Sequence, residues 1–251
     1  MTFAIRFRLQ DVDAITPWGA PGDRSLGWFG LTYGCCCIET PQGRLLETPR
    51  PHGPFAEPWD CYQVARLFDD LLAAWPAIAE PIPDDIFALI DAGFEARIDA
   101  LDASDDEAFW DAVSGACDWF KARHVSMMHH TSGPSLHLWR SGDTVRLRWI
   151  ANPSGRAELA DHWTVARADC RLRFNDVEQG VRGFADEFLG AMATRVESIR
   201  REGWTRGCAL DVDLLVKALR DEETWAAKTL ATVARTDWAA VREALRKIGL
   251  L

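Results

Sequence analysis

Four imidazoles fall within 14 positions of this 251-residue chain: His124, His129, His130 and His137. Imidazole nitrogen suits zinc, copper or iron, so a fold that brought two strands together here could gather three ligands. The spacing argues against it. His129 and His130 are adjacent, and adjacent side chains on a strand leave on opposite faces. Neither HExxH nor a His-plus-Cys zinc spacing is present. No metal and no cofactor are expected. Cys35-Cys36-Cys37 lacks any C-x-x-C partner. A strand would send Cys35 and Cys37 to one face and Cys36 to the other, and all three read as small buried hydrophobes. Ser132 and Ser135 lie near His130 and His137, and Cys37 could meet His137 across strands. Yet there is no G-x-S-x-G elbow, no P-loop and no G-x-G-x-x-G. No catalytic residue is assigned, and the reading favours a non-enzyme.

Carboxylates are the more informative group. Asp69-Asp70, Asp84-Asp85 and Asp105-Asp106 are neighbours, and neighbouring helix positions diverge by about 100°, so such pairs do not converge on one ion. The second and third pairs sit at expected helix starts, where negative charge is favourable. Asp91, Glu95, Asp99 and Asp102 run down one helix face at spacings of four, four and three. Like charges four apart weaken a helix slightly. This ridge is therefore either a solvated face or a docking surface for a basic protein. Between Asp60 and Asp118 there are 15 acidic residues against Arg66 and Arg97, a local balance of −13 within a total of −10. A field of one sign steers a partner of the other and repels phosphate, which argues against nucleic acid as the ligand of that region.

The elements that position these groups follow from periodicity. Residues 3–9 alternate as a half-buried strand; Trp28–Thr32 and Cys35–Glu39 are further strands with Gly34 as the turn between them, and Arg44–Leu46 closes a small meander. From Trp59 the period becomes helical until Pro76, a helix breaker. A second helix runs from Pro81 to Leu101. A third, residues 105–123, carries a Ser104/Glu107 capping box. Leu136, Leu138, Val145, Leu147 and Trp149 alternate with His137, Trp139, Arg146 and Arg148 around Ser141-Gly142-Asp143, which is a hairpin. His162–Ala168 alternates weakly. A long helix capped by Asn175 reaches about Glu202, and the C-terminus is helical, its last helix capped at Thr236. Segregated runs, with strands at 3–46, helices at 59–123, strands at 124–168 and helices at 175–248, give an α+β fold: an antiparallel sheet with several helices packed on it and a helical C-terminus. One domain over 1–251 with a single sheet is expected, because residues 3–46 alone would make a very small core.

Several stretches resemble an uncharacterised bacterial family known only as a domain of unknown function. They are Pro17-Trp18-Gly19, WFGLT at 28–32 with Gly34, Pro81-Ile-Pro83, Trp119 with Arg123-His124, LHLWRSGDTVRLRW at 136–149, and Met192 with Arg195-Val196. The resemblance covers about residues 3–205 and implies no reaction. It places aromatic residues where Cys35–Cys37 stand here, which makes those thiols a local departure.

Two functions remain from different classes. The first is a cytoplasmic, non-enzymatic interaction protein, immunity-like or regulatory, binding a basic partner through Asp91, Glu95, Asp99 and Asp102. The second is an enzyme or small-ligand binder whose pocket lies where the hairpin meets the helix end. Arg123, His124, Arg140 and Asp143 would be its polar groups, and Trp28 and Trp139 its walls. Seven Cys, an odd number, in a chain with no signal peptide or membrane span fit a reducing compartment. Oligomeric state is not legible.

Overall fold

The computed structural model describes residues 3–18, 24–51, 53–101, 106–130, 133–204, 208 and 210–251. Strand β1 (Ala4–Leu9) leads to a single helical turn, α1 (Trp28–Leu31), then β2 (Tyr33–Thr40), β3 (Gly43–Leu45) and β4 (Asp60–Gln63). Helices α2 (Val64–Ala79), α3 (Asp84–Asp91), α4 (Phe94–Asp99) and α5 (Glu107–Lys121) follow. Strands β5 (His124–Ser126), β6 (Ser135–Ser141), β7 (Thr144–Ile150) and β8 (Arg167–Arg173) precede the long α6 (Phe174–Glu202), α7 (Val212–Leu230) and α8 (Trp238–Lys247). The fold is α+β, with antiparallel sheets and a helical C-terminus.

The strands form two four-stranded sheets where one was expected. In the first, β2 pairs with β1 along one edge and with β3 and β4 along the other. The second runs β5-β6-β7-β8, and its hairpin register sets Leu138 opposite Leu147. The small-core argument behind the single sheet still holds in another form. Ile5, Cys36 and Ile38 of the first sheet share one apolar cluster with Leu138, Leu147 and Trp149 of the second, roofed by Phe68, Trp75, Phe184 and Phe188 from α2 and α6. A side-chain amide joins the sheets: Gln42 Nε2 donates to the Asp169 carbonyl at 2.9 Å, and the Asp169 N–H donates to Gln42 Oε1 at 2.7 Å. Gln42 thus supplies the bonds another strand would give to the β8 edge.

Several expected boundaries are corrected. Trp28–Thr32 is a helical turn rather than a strand; a run of four or five apolar residues does not distinguish the two. Gly34 lies inside β2 rather than in a turn, where a Cβ would collide with the Arg8 carbonyl oxygen of the paired strand. Strand β4 stands where a helix start was expected. Pro76 does not end α2, which continues to Ala79 because Ala74, Trp75, Ile78 and Ala79 are all buried. The helix expected over 81–101 is two, broken at Gly93, whose φ of 77° is left-handed. Asp106 caps α5 through its bond to the Ala108 N–H, and Ser104 lies outside the described residues. The weakly alternating segment gives β8 at 167–173, not 162–168. Asn175 lies within α6, and Asp237, not Thr236, caps α8.

A second apolar cluster covers the opposite face of the β5–β8 sheet. Ile86, Ile90, Phe94, Phe120, Val241 and Leu245 from α3, α4, α5 and α8 close over Trp139. That sheet is therefore buried on both sides at its β6 end.

Candidate functional site

The face of β5–β8 under α4 and α5 carries the residues whose chemistry was in question. His124 and His137 are opposed across β5 and β6. Their rings stack at 4.6 Å, and His137 stacks on Trp139 at 4.9 Å. Phe120 meets both His137 and Trp139 at 5.0 Å. Burial, with His124 and Arg148 adding to it, pushes the His137 imidazole down to about 3. Burial lowers His124 as well, against the pull of Glu95. Both rings are neutral at neutral pH. His124 Nε2 is shielded from solvent and has no hydrogen-bond partner among the described residues. Phe94, Ile98 and Cys117 complete a cavity of about 270 Å³ here, with Glu95, Asp99 and Lys121 at its mouth.

Farther along the same face, arginines meet acids. Arg146 contacts Asp91 at 2.5 Å and Asp169 at 2.8 Å, and Arg171 reaches Asp91 at 3.4 Å. Arg148 binds Glu95 at 2.8 Å while its guanidinium carbon lies 5.1 Å from the Trp139 ring centroid. The bond from Arg146 lowers the Asp169 carboxyl. The expected ridge is therefore not a free acidic surface. Asp91 and Glu95 belong to different helices and both are held by arginines of the sheet. Asp99 is exposed, with no ion pair among the described residues. Asp102 lies outside them.

The expected pocket constellation does not assemble. His124 and Trp139 come together, but the other four lie elsewhere. Trp28 packs edge-on against Phe188. Arg123 is fully buried; it donates to Glu80 at 2.9 Å and to the Trp119 carbonyl at 2.6 Å, beside the Trp238 ring. Arg140 donates to the Ala79 carbonyl at 2.6 Å and lies 3.6 Å over Phe174. Asp143 is exposed in the hairpin turn, where its backbone carbonyl accepts from the Phe174 N–H. These four residues make contacts that hold elements together.

Sequence reasoning missed two buried polar groups. Glu80 anchors Arg123 and also accepts from Thr236, at 2.7 Å from the backbone nitrogen and 2.6 Å from the hydroxyl. His130, in the loop after β5, contacts Asp60 of β4 through Nδ1, so one buried pair ties the two sheets. The run of acids hid both carboxylates, and neither partner lies close in sequence. The thiols behave as read: burial pushes Cys35 and Cys37 up to about 12, and no cysteine forms a disulfide.

Among the described residues, one charged face has no arginine paired to it. The outward side of α5 shows Glu107, Asp111, Ser114 and Asp118, with Trp110 44% exposed among them and Lys121 the one cation of the helix. Among the described residues no ion pair involves Glu107, Asp111 or Asp118.

A family model described as a family of unknown function, DUF5984, matches residues 4–244. The chain belongs to this family. No curated protein and no solved structure matches it. In this family member no described helix is long and apolar enough to cross a membrane.

Proposed function

We propose that this chain is a non-catalytic interaction protein of the bacterial cytoplasm that docks a basic protein partner, as immunity or regulatory proteins do. The docking face is the outward side of α5, not the α3–α4 ridge. One observation supports the reading above others: among the described residues Glu107, Asp111 and Asp118, exposed on the helix that also exposes Trp110, pair with no base, whereas Asp91 and Glu95 are held by arginines of the sheet. An exposed indole among carboxylates matches an arginine-rich surface, because guanidinium groups both stack on indole and pair with carboxylate. Unscreened acids speed encounter, and the aromatic supplies the anchor. Seven free thiols suit a reducing compartment.

The test is capture of the partner by the full chain at rising salt, with Asp111→Lys and Asp118→Lys as variants. A basic partner, affinity falling with salt, and a loss of about tenfold or more in the double variant are expected. An acidic partner, salt-independent capture or an indifferent double variant defeats the reading.

A further inference from the structure

The cavity between α4, the end of α5 and the β5–β6 strands has no role in the docking face as described so far. Its charged lining is two carboxylates against one ammonium, Lys121. Glu95 and Asp99 present carboxylates at the mouth. His124 and His137 also line it, and as neutral imidazoles they add no opposing charge. Its apolar lining is partly aromatic: Phe94 and Phe120, with ring centroids 5.1 Å apart, beside Ile98 and Cys117. Carboxylates beside aromatic rings suit a flat cation with donors only.

We propose that this cavity receives a guanidinium group, the arginine side chain of the basic partner, an inference that rests on the α5 reading above. Guanidinium carries five donors and no acceptor, and it stacks on aromatic faces. The fold uses the same chemistry next door. Arg148 binds Glu95 Oε2 at 2.8 Å and lies over Trp139, and among the described residues no hydrogen bond involves Glu95 Oε1. A lysine ammonium is compact and strongly hydrated, and stacks less well. An anion meets Glu95 and Asp99. Location agrees with the docking face, since Cys117 and Lys121 line the cavity from the helix that carries Trp110. Seven residues of helix separate Trp110 from Cys117, about 10 Å along the axis. Lys121 is exposed at the mouth and opposes the charge of the ligand; its removal strengthens binding.

The experiment titrates the full chain with N-acetyl-arginine amide, N-acetyl-lysine amide and benzoate, reading the His124 and His137 ring proton resonances. The arginine compound is expected to saturate with a Kd on the order of millimolar, and the lysine compound to bind about fivefold more weakly or worse. Benzoate leaves the resonances unmoved. Asp99→Asn weakens the arginine compound by about threefold, and Lys121→Gln strengthens it by a similar factor. An arginine compound that fails to saturate, a lysine compound or benzoate that binds equally, or an Asp99→Asn variant without effect overturns the proposal. If the compound binds while partner capture ignores the α5 charges, the docking face falls and the cavity stands. If capture depends on α5 but the compound does not bind, the cavity alone falls.

Discussion

Glu80 is the residue on which two elements hang, and its removal has a calculable cost. Its carboxylate accepts from Arg123 at 2.9 Å and from Thr236 at 2.7 and 2.6 Å, and neither Glu80 nor Arg123 reaches solvent appreciably. Burial alone lowers the Arg123 guanidinium from its usual range; the Glu80 charge opposes that shift. Glu80→Ala leaves a buried cation with only the Trp119 carbonyl and the Trp238 ring. Breaking such a pair from one side costs about 3–5 kcal/mol. A chain of 251 residues has an unfolding entropy of about 0.5 kcal/mol per kelvin, so Tm should fall by about 6–9 °C. Arg123→Met should cost less, because Glu80 keeps both Thr236 bonds. The double variant Glu80→Leu/Arg123→Met removes both charges and should lie nearer the wild type than the sum of the single losses, with a coupling of about 2 kcal/mol. Thermal and denaturant unfolding of the four proteins measure the cycle. Hydrogen exchange at the Thr236 amide, expected to accelerate in Glu80→Ala, reports the local loss at the entry to α8. Additive single losses, or a Glu80→Ala cost below about 1 kcal/mol, would refute the reasoning.

Two further predictions concern pH. Burial, then Glu222, raises the Asp69 carboxyl to about 7, against the pull of Arg66. Its contribution to stability is full below about pH 4 and is lost as pH rises through 7. Asp69→Asn should therefore match the wild type near pH 4 and gain steadily to pH 7. Above that the gain should hold at about 1–2 kcal/mol, allowing for screening of this part-exposed group; a gain equal at pH 4 and pH 8 would contradict it. His137 shifts the other way, its imidazole depressed to about 3 by burial, His124 and Arg148. Its contribution is full above about pH 6.5 and is lost as pH falls toward 3, amounting to about 2 kcal/mol between pH 6.5 and 5. His137→Phe keeps the ring stack and should flatten that acid loss; denaturant midpoints at pH 5 and 7 compare the two proteins.

The hairpin was the most legible element, because two strands of period two flank Ser141-Gly142-Asp143 and only one register buries Leu138 with Leu147. The helical runs were legible too, from the spacing of Phe184, Phe188 and Met192 in α6 and of Leu67, Phe68 and Leu71 in α2. What failed were decisions made by distant contacts. Strand β4 has four residues and no alternation, and it is a strand because the free edge of β2 lies beside it. Pro76 stays in α2 because burial around Trp75 outweighs one lost hydrogen bond. The two sheets separate because Gln42 and the shared α2–α6 roof provide the junction that a continuous ladder would otherwise make. Of the expected pocket residues, His124 and Trp139 share one face because β5 pairs with β6 and sets His124 opposite His137, which stacks on Trp139. Arg123 and Arg140 were misread because a guanidinium that grips a ligand and one that grips a carbonyl have the same sequence.

The charge pattern carries the same lesson further. Acids cluster between Asp60 and Asp118, and arginines crowd the strands after Arg140. Along the chain this resembles an acidic domain awaiting a basic partner. In space much of it is an internal contact. Asp91 meets Arg146 and Arg171, Glu95 meets Arg148, Asp85 meets Arg242, and Glu80 meets Arg123. The segregation serves to seat α3, α4 and α8 on one face of the second sheet and against one another. Pairs at the rim of that contact are exposed and individually weak; they orient the helices, and the apolar cluster around Phe94, Phe120 and Trp139 supplies the burial. A carboxylate is therefore informative about an outside partner only after the internal arginines have been assigned. By that criterion α3 and α4 are largely explained by the fold itself, and the outward side of α5, with Trp110 exposed among its acids, is the part of the acidic segment whose composition the fold does not require.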